Sequence, residues 1–164
     1  MKKITIITAL LIIAGTNAFA AEETSVPNTS IILYHQPFTK IVVENDIDIL
    51  LTEGAEKSMQ FSGDETDIKK AVWEIKDGTF YLKSTGRSLK NKVVLTINVS
   101  GLNNIFIYGS SDVCSAGRLQ SKRLKVYIDG DGMVNLKNTG SIKIAGGGST
   151  ELNIKKLQGD ISID

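Results

Sequence analysis

Three glycines limit what this chain can fold into more than any other feature. Gly109, Gly130 and Gly146 each close a short apolar alternation, and steps of two residues outward from them meet the same residue types. Four residues before the glycines stand Ile105, Val126 and Ile142, and two before stand Ile107, Ile128 and Ile144. Two after come the small Ser111, Gly132 and Gly148, and four after come Val113, Val134 and Thr150. Six after, Leu136 and Leu152 agree, while Ser115 breaks the column. Alternate residues of a strand share a face, so these columns read as one inward face repeated three times. The glycines are 21 and then 16 residues apart, which suits one strand plus one return loop per repeat, stacked as a solenoid over about 102–164. A missing Cβ lets the chain bend sharply there, or lets neighbouring repeats approach closely.

The rest of the chain is consistent with one exported domain. Lys2 and Lys3, the apolar run "ITIITALLIIAG" and Ala18-Phe19-Ala20 have the form of an export signal over 1–20. The run is too short to favour a membrane span. Residues 21–30, "AEETSVPNTS", are polar and aperiodic, and read as a flexible leader before a single domain over 31–164. Without the signal, 17 basic residues face 18 acidic ones, which is not the basic stripe of a nucleic-acid binder. Cys114 is the only cysteine, so no intrachain disulfide can form and core packing must hold the fold.

From Ile31 onward the chain reads mostly as strands: "FTKIVV", "IDILL", "TFYLK", "KVVLTINV" and "NIFIYG" are rich in β-branched and aromatic residues. One short helix is expected near 65–72 in "DETDIKKAVWEI". Asp64 or Thr66 would cap it, and Ile68, Ala71 and Val72 would form its apolar side before Trp73 and Ile75 return to strand.

The order "FTKIVV", "IDI", "DGTFYLK", "KVVLTI" and "LNNIFIYGSSDV", followed by further glycine-centred repeats, resembles the auto-transporter adhesin head domain called the GIN domain. That family occurs in exported proteins of Bacteroidetes-like bacteria, and the resemblance covers roughly Phe38 to the C-terminus. It implies an all-β fold: a strand-rich N-terminal part continuing into a right-handed β-helix-like solenoid with glycine-centred rungs. It also implies a role in adhesion, and it brings no catalytic residues. Family members usually run on through further rungs, whereas here the chain stops after Ile161, Ser162, Ile163 and Asp164. Either the sequence is truncated or a partner completes the last rung, because an open strand edge invites pairing.

Motifs that would carry chemistry fail in turn. Counted from Asp129, a helix–loop–helix calcium site needs glycine at the sixth position and glutamate at the twelfth, but Val134 and Gly140 stand there. Asp129 and Asp131 then read as solvated residues beside inward glycines. "AGGGST" lacks the lysine of a phosphate loop and runs into the strand "ELNI". His35 is the sole histidine, and Cys114 has no basic neighbour before Arg118, so neither a nucleophile–base pair nor an activated thiolate is indicated. The outward acids Asp112, Asp129, Asp131 and Glu151 share no column, unlike the focused carboxylate pair of a glycosidase. No enzyme activity, cofactor or metal is expected.

One outward column is less bland. Phe106, Tyr127 and Lys143 stand three residues before their glycines, with Tyr108 beside them. Exposed, such a column suits the flat face of a sugar or a protein partner. The favoured alternative is that the N-terminal strands or a return loop cover it as a second core. The expected function is a non-catalytic module of the periplasm, outer-membrane surface or extracellular space that binds a glycan or an envelope or surface protein. The alternatives are a structural module that self-associates through its uncapped C-terminal edge and, third, a β-helical carbohydrate-cleaving enzyme.

Overall fold

The computed structural model describes residues 31–86 and 89–147, together with the backbone of 151–154 and 161–163. The expected signal and leader over 1–30 lie outside the described residues, as do Gly148 and Thr150 of the ladder. The elements are β1 (Ile31–Leu33), β2 (Lys40–Glu44), β3 (Ile47–Glu53), β4 (Ser58–Ser62), α1 (Glu65–Ile68), β5 (Ala71–Lys76), β6 (Thr79–Ser84) and β7 (Val93–Val99). They continue as β8 (Asn104–Tyr108), β9 (Val113–Leu119), β10 (Arg123–Asp129), β11 (Met133–Asn138), β12 (Ser141–Gly147), β13 (Glu151–Ile154) and β14 (Ile161–Ile163).

Among the described residues the strands form two seven-stranded sheets. The first runs β1-β4-β7-β3-β9-β11-β13 and the second β14-β12-β10-β8-β2-β6-β5. Consecutive pairs (β2–β3, β6–β7, β8–β9, β10–β11 and β12–β13) give one strand to each sheet and so form tiers. Neighbouring tiers pair in parallel. Antiparallel pairing is confined to the end where β4 and β5 flank the β6–β7 tier and β1 lies outside β4. The tier β6–β7 sits on one side of β2–β3 and the later tiers on the other, so stacking order departs from chain order.

Strand alternation places the core between the sheets. In β10, Leu124, Val126 and Ile128 are buried, while Lys125, Tyr127 and Asp129 are exposed. Ile41, Val43, Ile49, Phe80, Leu95, Ile107 and Val134 join them in one continuous apolar cluster. Burying a side chain of this size contributes about 1.5–3 kcal/mol, so this cluster is the main source of stability in a chain with one cysteine.

The corners between tiers are held by polar side chains bonded to backbone. The Asp112 N–H donates to Asp48 Oδ1 at 2.9 Å, and the Met133 N–H donates to Asp112 Oδ1 at 2.9 Å. Ser111 Oγ donates to the Asn45 carbonyl at 2.6 Å. At another corner the buried Asn138 accepts the Ser121 N–H at 3.1 Å and donates to its carbonyl at 2.9 Å, while the Ser121 hydroxyl donates to the Leu102 carbonyl. Gly130 shows why this stack needs glycine. Its φ is +148°, and a Cβ there would lie 2.8 Å from the Gly109 carbonyl carbon and closer still to the oxygen.

Several expectations need correction. Val126 pairs with Ile105, as the ladder requires, but on its other side it pairs with Ile144 and not Ile142. Likewise Val134 faces Val113 and Leu152 rather than Thr150. The third repeat is thus offset by 18 residues and not 16, so Gly146 lies beside Ile128. A slip of two residues keeps every side chain on its face, which is why the inward parity survives. Ser115 falls in a bulge, where Cys114 and Arg118 face Asn135 and Lys137 and three residues oppose one. The helix ends at Ile68, so Ala71 and Val72 belong to β5. Asp64 is its N-cap and accepts the Thr66 N–H at 2.9 Å. Finally, the N-terminal strands do not cover the aromatic column as a second core. They extend the same two sheets, because their inward residues complete the core that the ladder starts.

Candidate functional site

The outer face of the second sheet collects the large polar and aromatic side chains that alternate with its core residues. Parallel register arranges them in rows that cross the strands. The central row runs Tyr81, Val42, Phe106, Tyr127 and Ala145 across β6, β2, β8, β10 and β12. On the side of the strand starts lie Lys40, Asn104, Lys125 and Lys143. On the other side lie Lys83, Glu44, Tyr108 and Asp129.

The aromatic groups touch one another without closing over. The ring centres of Phe106 and Tyr127 are 6.1 Å apart, and those of Tyr108 and Tyr127 are 6.2 Å apart. Lys40 Nζ stands 5.9 Å from the centre of the Phe106 ring, which holds the cation over an aromatic face. Tyr81, Tyr108 and Tyr127 keep 38–39% of their surface exposed, so this face is open to solvent. Two shallow depressions indent it. One, of about 250 Å³, is lined by Phe106, Tyr127, Lys125, Lys143 and Ala145 among others. The second, of about 290 Å³, is bounded by Val42, Glu44, Trp73, Tyr81 and Lys83 among others.

The four residues singled out in the sequence therefore share one face. Phe106 and Tyr127 are direct neighbours, and Tyr108 packs diagonally on Tyr127. Lys143 is placed differently from the column reading: it stands beside Lys125, and Ala145 takes the place next to Tyr127. Sequence reasoning missed Tyr81, Val42 and Lys40, because nothing in the ladder pattern says that β2 and β6 join the same sheet.

It also missed two polar clusters. Lys92 Nζ bridges Asp48 at 2.6 Å and Asp112 at 3.4 Å, and its hydrogen bond with Asp48 raises the lysine pKa. Both carboxylates also accept backbone N–H groups, so the cluster fastens three successive turns. Asp67 is buried and receives Lys70 Nζ at 2.6 Å, with the Asn91 N–H and Nδ2 at 2.9 and 3.1 Å. The Lys70 ammonium holds the Asp67 carboxyl down at about 2. Cys114 is half-buried, and burial, with Asp112 and Asp48 adding to it, pushes its thiol pKa up, the opposite of an activated thiolate. His35 is exposed, and its carbonyl accepts Lys57 Nζ at 3.4 Å. Among the described residues, no group of three or more His, Cys, Asp or Glu could hold a metal ion, and no helix is long and apolar enough to cross a membrane.

Comparison with known proteins gives a family match. The family described as "Putative auto-transporter adhesin, head GIN domain" matches residues 37–163. Among solved structures, similar ones include "a putative adhesin" from Bacteroides fragilis, at 16% identity and a TM-score of 0.37, covering 83% of this chain and 96% of that one. Another is "a putative cell adhesion protein" from Clostridium sporogenes, at 16% identity and 0.35, covering 84% and 98%. A third is a "Putative lipid binding protein" from Parabacteroides distasonis, at 11% identity and 0.34, covering 86% and 98%. No curated protein matches the chain.

Proposed function

The chain belongs to the GIN head-domain family, and from that premise we propose that it is an exported, non-catalytic envelope or surface module that binds a glycan on the outer face of its second sheet. The observation that carries this reading is the open row Tyr81–Val42–Phe106–Tyr127, with Tyr108 beside it. Aromatic rings offer flat apolar area with little side-chain entropy to lose, which suits the apolar face of a pyranose. Neighbouring strands stand about 4.8 Å apart, so the row of five strands spans about 19 Å. A surface of that length fits an oligosaccharide lying across the strands rather than a single sugar. The parallel tiers support reading the stack as a right-handed β-helix-like solenoid, which would hold the row rigid.

Binding of the purified protein to a glycan array, and to envelope extracts in parallel, tests the proposal. Tyr127→Ala should weaken a glycan signal about tenfold or more, the loss expected of a central aromatic contact. Its melting temperature should stay near that of the parent, because the ring is exposed. Glycan binding indifferent to Tyr127→Ala would remove this face from the reading. Capture of an envelope protein with no glycan bound would replace the ligand class.

A further inference from the structure

The charge pattern beside the aromatic row narrows the ligand, and the inference rests on the glycan reading above. We infer that the glycan is acidic, a uronate- or sulfate-bearing polysaccharide whose anionic groups lie over the lysine row. Lys125 pairs in register with both Asn104 and Lys143, and Asn104 pairs with Lys40, so three cations and one amide stand in line on four adjacent strands. Arg123 precedes Lys125 by two residues on the same face and opposite Ser141, extending the basic edge. The ion pairs among the described residues do not include Lys40 or Lys125.

The acids on this face are segregated from that row. Glu44 and Asp129 lie beyond the aromatic row, at the ends of their strands, and Glu74 lies at its far end opposite Tyr81. A sugar stacked on Phe106 and Tyr127 thus has cations and one amide along one edge, and along the other Glu44, Tyr108 and Asp129, with Lys83 beyond Glu44. Ammonium groups form charge-assisted hydrogen bonds with a uronate or sulfate, while Glu44 and Asp129 can accept only from hydroxyls. The face therefore fixes orientation as well as charge: anionic groups toward the strand starts, free hydroxyls toward the strand ends. A neutral glycan would make no use of the charge on Lys40 and Lys125, and an evenly charged polyanion would meet Glu44 and Asp129.

The test compares each acidic polymer with its own neutral form. Affinities of the purified protein are measured for polygalacturonate and hyaluronan against their carboxyl-reduced forms, and for dextran sulfate against dextran. At least one acidic member should bind about tenfold or more tighter than its neutral counterpart. That preference should fall as sodium chloride rises. Lys125→Gln and the double variant with Lys143→Gln should abolish the preference, whereas Tyr127→Ala should weaken acidic and neutral members alike. Circular dichroism of each variant establishes that it is folded, and the single lysine variant serves if the double one is not. Equal binding of acidic and neutral members, with dependence on Tyr127, would overturn the acidic inference and leave the glycan reading standing. Binding to every polyanion regardless of Tyr127→Ala would show only non-specific charge attraction and would also overturn it. No binding to this panel or to the wider array would sink both.

Discussion

Substituting alanine at Gly130 isolates what the glycines contribute to the stack. The new Cβ would lie 2.8 Å from both the nitrogen and the carbonyl carbon of Gly109, closer still to its oxygen, on a backbone with φ of +148°. Backbone atoms of a paired strand cannot swing aside as a flexible side chain can. Crowding of this kind costs about 1–3 kcal/mol, and a left-handed φ on a residue with a side chain adds about 1–3 kcal/mol. Together about 2–6 kcal/mol is a large share of the roughly 5–15 kcal/mol that holds a domain folded. Two other glycines separate the terms. Gly101 has φ of +66° with nothing within 4 Å of a Cβ, so alanine there should show the backbone cost alone, about 1 kcal/mol. Gly117 has neither problem, and alanine should be neutral or stabilise by about 0.4–1 kcal/mol through the unfolded chain. Urea denaturation of the three variants, followed by far-ultraviolet circular dichroism, gives the series directly. The expected order of stability is Gly117→Ala, then Gly101→Ala, with Gly130→Ala well below both. If Gly130→Ala fell within about 0.5 kcal/mol of Gly101→Ala, close packing between tiers would not be what requires glycine there.

Other consequences follow from the core and the two polar clusters. Ile107, fully buried in the centre of the second sheet, should cost about 2–5 kcal/mol on truncation to alanine, read from the urea midpoint; a loss below about 1 kcal/mol would mean the two sheets do not pack there. Lys92→Met should destabilise by about 1–2 kcal/mol, since Asp48 is mostly buried while Lys92 is mostly exposed. Adding Asp48→Asn should recover part of that loss, and strict additivity in the double-mutant cycle would show that the pair is uncoupled. For Asp67 the folded carboxyl titrates at about 2 against an ordinary 3.8, so its stabilisation is complete above about pH 4 and is lost as pH falls toward 2. Asp67→Asn should flatten the fall in urea midpoint across that window, and an unchanged slope would place the acid sensitivity elsewhere.

Much of the fold was legible because period-two alternation is a strong local signal. The five apolar runs became β2, β3, β6, β7 and β8, and the parity that put Ile128 inward and Tyr127 outward holds in the structure. What was not legible depends on pairing between segments. The offset of the third repeat, the bulge at Ser115 and the position of β6–β7 on the far side of β2–β3 are set by which strands meet, not by any residue's own preference. The candidate face was half legible for the same reason. Phe106, Tyr108 and Tyr127 lie in the repeat and could be read from it, but Tyr81 and Lys40 reach the row only through a sheet order the repeat does not encode. The Asp48–Lys92–Asp112 bridge joins positions from three different strand–loop segments, so no spacing could announce it.

The two outer faces differ in a way that core formation does not require. Both sheets bury the same kind of inward residues, yet the central outward row of the first sheet carries no ring: Gln60, Thr96, Leu50, Cys114 and Asn135 stand in line, all half-buried. The second sheet carries the rings of Tyr81, Phe106 and Tyr127 in the equivalent place. Folding alone would be served by either pattern, because outward side chains add little to the core that holds the sheets together. Exposed tyrosines are the costlier choice, through exposed apolar area. Under the glycan reading, stability and binding are separable: Tyr127→Ala should lower affinity with little change in the unfolding midpoint, whereas truncating Ile128, the inward residue between Tyr127 and Asp129, should do the reverse.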